Sequence, residues 1–207
     1  MKLLRCVLLL QFTTGLALSQ PAQQSQPASV PRQPEALVRS LYQKVVARQT
    51  VGIPYSADMK IFAPYLSKTL RHRIQLARAC GNDWFRQHPG RSLKPPFAWL
   101  EAGLFSGANE RTDPNAFVIE RAQSEKNGSF RVFVRLKGGK PPEEPWIWQV
   151  VAVLVRENGH LVVDDVLYLK DESQDVDSRL SEVLAKGCDG PRWVDHGDQR
   201  NDPKQQK

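Results

Sequence analysis

Ser129-Phe-Arg-Val-Phe-Val-Arg-Leu-Lys137 and His160-Leu-Val-Val-Asp-Asp-Val-Leu-Tyr-Leu169 are the stretches whose reading decides the fold. In the first, Phe130, Val132, Val134 and Leu136 alternate with Arg131, Phe133, Arg135 and Lys137, the period of a strand with one buried face. Each stretch follows an Asn-Gly pair, Asn127-Gly128 or Asn158-Gly159, the strongest short hairpin signal. These pairs join Ala116–Gln123 to Ser129–Lys137, and Trp146–Arg156 to His160–Leu169, with Gly138 to Pro145 as the longer middle loop. The expectation is a four-stranded antiparallel meander.

Upstream of the strands the period is helical. Pro34-Glu35 suits a helix N-terminus, and Leu37, Val38, Leu41, Tyr42, Val45 and Val46 form one apolar stripe that Gly52 and Pro54 end. A second helix enters through Pro64-Tyr65-Leu66-Ser67 with Ser67 as its N-cap, buries Leu66, Leu70, Ile74 and Ala77, and is expected to stop at Gly81. Residues 82 to 115 hold no clean period and read as an ordered connection with one short helical turn near Phe97 to Leu104. Asp177 or Ser178 is expected to cap a last helix running through Lys186, with Gly187 as its stop. Helices, then a sheet, then a closing helix make an α+β domain over residues 35–190, ahead of a polar tail over 191–207.

The chain has 207 residues, 41% of them hydrophobic, which excludes disordered, collagen-like and multi-span membrane chains. Met1-Lys-Leu-Leu-Arg5, the uncharged and mostly apolar run Cys6 to Leu18, and Ala17-Leu18-Ser19 read as a secretory signal peptide over residues 1–19. The alternative is an uncleaved N-terminal anchor. Residues 20–34, rich in Gln, Ser and Pro, read as a disordered linker. The expected location is therefore periplasmic or secreted. Cleavage lowers the formal charge from +7 to +5 and leaves an even pair of cysteines, Cys80 and Cys188. In an oxidising compartment that pair reads as a disulfide, and two separate buried thiols are the alternative.

Charge is segregated along the chain. Lys60 to Lys94 carries eight bases and one acid, Asp83, whereas Glu157 to Asp189 carries nine acids and three bases. One reading is mutual neutralisation, brought about if the two cysteines join these stretches. The other is a basic face, with Arg71, Arg73 and Arg78 as its contact residues, offered to an envelope protein or an anionic envelope component. Nucleic acid does not fit an exported chain whose basic stretch lacks interleaved aromatics.

Nucleotide loops, nucleophile elbows, Cys-x-x-Cys and zinc-protease motifs are absent, and His72, His88, His160 and His196 stand at no metal-ligand spacing. The sequence thus calls for no metal, no cofactor and no catalytic residue. Asp164-Asp165 is its most informative polar feature. On a regular strand Asp165 shares a face with Leu161, Val163, Leu167 and Leu169, and Asp164 shares one with Val162, Val166 and Tyr168. A carboxylate among apolar side chains is either a pocket base or a structural group tying the strand to an arginine, a tyrosine or a backbone amide. Trp146, Trp148 and Tyr168 would wall such a pocket, or else belong to the core.

Pro64-Tyr65-Leu66-Ser67 and Val163-Asp164-Asp165-Val166-Leu167-Tyr168-Leu169, with helices before paired hairpins, resemble the YbjP/YqhG-like family of bacterial envelope proteins over roughly residues 35 to 187. The resemblance implies a cystatin-like cone, a curved sheet wrapped on N-terminal helices, and it implies no reaction. Some members are lipid-anchored, whereas Cys6 stands at the start of the apolar run, where a lipidation cysteine does not. The expected function is that of a non-enzymatic envelope domain binding through its basic face. The alternatives are a cone-fold ligand binder or enzyme using Asp164 or Asp165, and a purely structural domain of a larger assembly.

Overall fold

The computed structural model describes residues 33–89, 94–101, 103–107, 113–139, 142, 144–170 and 174–188. The expected signal peptide 1–19, most of the expected linker 20–34 and the expected tail 191–207 lie outside the described residues. The architecture is α+β: helices α1 (Gln33–Arg48), α2 (Ser56–Phe62) and α3 (Lys68–Gln87), a sheet of five antiparallel strands, and a short helix α4 (Leu180–Ala185). The strands β1 (Pro114–Ser124), β2 (Phe130–Gly138), β3 (Trp146–Glu157), β4 (His160–Leu169) and β5 (Val176–Arg179) lie side by side in chain order. Among the described residues no helix is long and apolar enough to cross a membrane.

The meander forms as the alternation predicts, with a fifth strand added. Val176–Arg179 extends along the far edge of β4, Leu167 opposite Arg179, where a helix cap was expected. Consequently α4 begins at Leu180, and neither Asp177 nor Ser178 caps it. The two Asn-Gly pairs make different turns. Asn158 (φ 50°) and Gly159 (φ 81°) form a two-residue turn between Glu157 and His160, with both residues left-handed as a type I′ turn requires. At Asn127-Gly128 only the glycine is left-handed, and the connection is one residue longer, closed by Glu125 and Ser129 through Glu125 N–H to Ser129 O at 2.9 Å.

α1 and α3 bury their apolar stripes on one face of the sheet. Val38, Leu41, Tyr42 and Val45 of α1, with Leu70, Ile74 and Ala77 of α3, meet Val132, Val134, Leu136, Val150, Ala152 and Leu154. Ser67 caps α3 as the sequence predicts, its Oγ accepting from Leu70 N–H at 2.9 Å. α3 does not stop at Gly81 but runs six residues further, to Gln87. That glycine serves close packing: a Cβ there would lie 2.8 Å from the Trp99 ring. The opposite face of the sheet carries a row of its own, Phe133, Val151 and Leu167 on adjacent strands, with the Arg121 guanidinium 3.6 Å above the Phe133 ring.

A disulfide joins Cys80 of α3 to Cys188 after α4, closing a loop of 108 residues. The two-thiol alternative is thereby set aside.

Candidate functional site

The paired carboxylates sit where β4 breaks its alternation. Val153 pairs with Asp165 and Leu154 with Val163, so Asp164 is the extra residue of a bulge. The bulge reverses the parity of the strand. Leu161 and Val163 before it, and Val166 and Tyr168 after it, all face the helices, whereas Leu167 and Leu169 join the opposite face. The regular-strand expectation that Asp165 shares a face with Leu161 and Val163 is therefore corrected, as is the grouping of Asp164 with Val166 and Tyr168.

Each carboxylate ties a helix to the strand. Asp164 Oδ1 accepts from the Ser67 hydroxyl at 2.6 Å, while Ser67 N–H donates to Val163 O at 2.8 Å, so the start of α3 is fixed to the bulge. The Glu157 carboxylate accepts from Lys68 N–H at 3.0 and 3.2 Å, placing a second acid at the positive end of the same helix. Asp165, only 8% exposed, accepts from Val166 N–H (2.9 Å) and Ser181 N–H (3.0 Å) through Oδ1, and from the Ser181 hydroxyl (2.7 Å) through Oδ2. Ser181 lies in the first turn of α4, where backbone N–H groups have no helical acceptor. Asp165 thus does from a strand what the residue preceding α4 does not.

A buried segment, residues 104–106, packs against aromatic residues of α1, β3 and β4. Leu104 and Phe105 are fully buried in the core, and three aromatic donors hold three successive carbonyls of their segment. Tyr168 Oη donates to Leu104 O (2.6 Å), Tyr42 Oη to Phe105 O (2.7 Å) and Trp148 Nε1 to Ser106 O (2.8 Å). Gly107 follows in the left-handed region (φ 64°), where a Cβ would approach the Tyr168 ring to 2.6 Å. Trp148 and Tyr168 thus anchor this segment from the sheet, and Trp146, the first residue of β3, is 60% exposed.

Burial raises the phenol pKa of Tyr42, and burial first, then the nearby Tyr42 and Asp165, raises that of Tyr168. With folded values above the unfolded value of 10.0, the stability these phenols supply is complete below that pH. As pH rises beyond it the unfolded chain ionises first, and the contribution falls away. Tyr168→Phe, leaving Leu104 O without its donor, is expected to cost about 1–2 kcal/mol at neutral pH. It should also make the loss of stability above about pH 10 shallower, because one phenol fewer titrates. Urea unfolding at pH 7 and across pH 9–11 checks both effects.

The basic residues of α3 divide between two flanks. Arg71 and Arg78 are seven residues apart and about 20° from alignment, whereas Arg73 lies about 140° around the helix from Arg78. Arg71 Nε donates to Ser67 O at 3.4 Å, and Arg78 Nη2 to Pro54 O in the α1–α2 connection. Arg78 also lines a cleft of about 460 Å³ with Val51, Tyr55, Asn82, Phe85 and Trp99. Little in the chain's periodicity announces this cleft. Phe85 leaves the buried stripe only once α3 is known to pass Gly81, and Val51 and Tyr55 belong to a connection without periodicity.

Among the described residues, no group of three or more His, Cys, Asp or Glu side chains could hold a metal ion. No family model matches the chain, and no curated protein or solved structure matches it.

Proposed function

We propose that the chain is an exported, non-enzymatic binding module of the bacterial envelope, a cystatin-like cone that engages an anionic envelope component through the Arg71–Arg78 flank of α3. The observation that carries this reading is that the fold takes up both aspartates, while α3 places Arg71 and Arg78 on one flank. Leu104 and Phe105 are buried in a segment held by Tyr168 and Trp148, and both aspartates are engaged by backbone amides or serines. Recognition is assigned to the outer surface, where α3 carries its bases. The Cys80–Cys188 bridge supports export, because disulfides persist in oxidising compartments. The resemblance of the Tyr65-Leu66-Ser67 entry and the Asp164-Asp165 strand to YbjP/YqhG-like envelope proteins points the same way.

Charge reversal tests it. Arg71→Glu with Arg78→Glu is expected to weaken co-sedimentation with phosphatidylglycerol vesicles about tenfold or more, at about 1 kcal/mol for each surface charge. Arg73→Glu, on the other flank, should weaken it less, and unfolding midpoints should stay within a few degrees of the parent protein. Equal binding by all variants would remove the basic flank from the function.

A further inference from the structure

We propose that the cleft beside Arg78 is a binding site for an aromatic carboxylate, an inference that rests on the binding-module reading through this shared arginine. The volume, about 460 Å³, lies within the range of small-ligand sites. Its walls come from three places: Val51 and Tyr55 of the α1–α2 connection, Arg78, Asn82 and Phe85 of α3, and Trp99. The connection is held in place on one side by Gly52 pairing with Gly103 and on the other by Arg78 donating to Pro54 O.

Three features point to the ligand. Val51 (52% exposed), Tyr55 (84%) and Phe85 (38%) are large apolar side chains left in water, and all three converge on this one cleft. Singly, exposed apolar residues need no explanation; gathered around a concavity they mark a binding surface. Among the described residues Arg78 is its only cation, and no carboxylate among them lines the cleft. The Pro54 carbonyl occupies one of the five guanidinium N–H groups, so the others remain for a planar anion. Finally, Trp99, which lines this wall, carries in its Nε1 the one buried side-chain nitrogen or oxygen without a hydrogen-bond partner among the described residues. Aromatic walls around one uncompensated guanidinium suit a ring bearing a carboxylate, whether a free small acid or the C-terminal end of a protein chain.

The test uses the exported protein, labelled with ¹⁵N and titrated with 3-phenylpropionate and, separately, with the neutral 3-phenylpropan-1-ol. The acid is expected to shift the Trp99 Nε1–H and Arg78 Nε–H resonances saturably and to bind about tenfold tighter than the alcohol. An acetylated tripeptide ending in phenylalanine, compared with its C-terminal amide, separates the two sources: shifts from the free peptide acid assign the site to chain ends, and their absence assigns it to small acids. Phe85→Glu, at an exposed position, should abolish binding with the fold retained, and Arg78→Gln should equalise acid and alcohol. Equal binding of acid and alcohol by the parent protein, unchanged binding by Phe85→Glu, or no shift with any probe would overturn the inference. In the last case, vesicle binding that still depends on Arg71 would leave the binding-module reading standing. Probe binding without vesicle binding would instead remove the basic flank and keep the cleft.

Discussion

Asp165→Ala is expected to lower the free energy of unfolding by about 3–5 kcal/mol, among the largest effects of a single polar substitution. The carboxylate is buried and accepts three hydrogen bonds, two of them from the first turn of α4. Alanine leaves the Val166 and Ser181 amides without an acceptor in a site that water reaches poorly, at about 1–3 kcal/mol for each orphaned group. Asp165→Asn keeps an oxygen for the two amides and should cost only about 1 kcal/mol, since the Ser181 hydroxyl can turn to accept from the new amide. A pocket base would behave otherwise: its alanine variant would lose activity or ligand and keep its stability. Urea unfolding of the three proteins decides between the roles, and equal midpoints would show that Asp165 does not hold α4.

Removing the Cys80–Cys188 bridge is expected to have a comparable effect. The bond closes a loop of 108 residues, and the chain-entropy argument assigns loops of that order about 4.7 kcal/mol. Measured losses for small secreted domains run from about 2 to 5 kcal/mol. The bridge also anchors the segment after α4 to the middle of α3, so α4 depends on it as well as on Asp165. A Cys80→Ala, Cys188→Ala protein should unfold at markedly lower denaturant, and reductant should bring the parent protein to the same midpoint while leaving the variant unmoved. Coincident transitions for oxidised parent and variant would show that the bond adds nothing to stability.

What could be read from the chain followed from how regular each element is. β2 has an unbroken alternation from Phe130 to Lys137, so its buried face was plain, and the two Asn-Gly pairs located both hairpins. Val176-Asp-Ser-Arg179 is four residues long with no apolar face, and only pairing with β4 makes it a strand. α2 was invisible for a similar reason: only Phe62 of its seven residues is buried, and Tyr55 offers no side-chain cap. At Gly81 a local rule gave way to tertiary packing, since the residue that usually ends a helix here makes room for Trp99.

The candidate site was less legible. Asp164 and Asp165 stood out correctly as carboxylates among apolar residues, but a period of two could not reveal that the bulge assigns each to a different helix. The alternative of a structural carboxylate bonded to backbone amides describes Asp165. The cleft beside Arg78 is built from three stretches without shared periodicity, and it exists only once α3 is folded to its full length.

The three aromatic anchors of residues 104–106 have a consequence for the order in which the molecule assembles. Their hydrogen bonds span 63, 64 and 42 residues, to α1, β4 and β3 in turn. Each forms only when its own element reaches the segment, and contacts so distant in sequence are rewarded only after the entropy of closing the intervening chain has been lost. The docking of residues 104–106 is therefore expected late in folding, with Tyr42→Phe and Trp148→Phe speeding unfolding more than they slow folding.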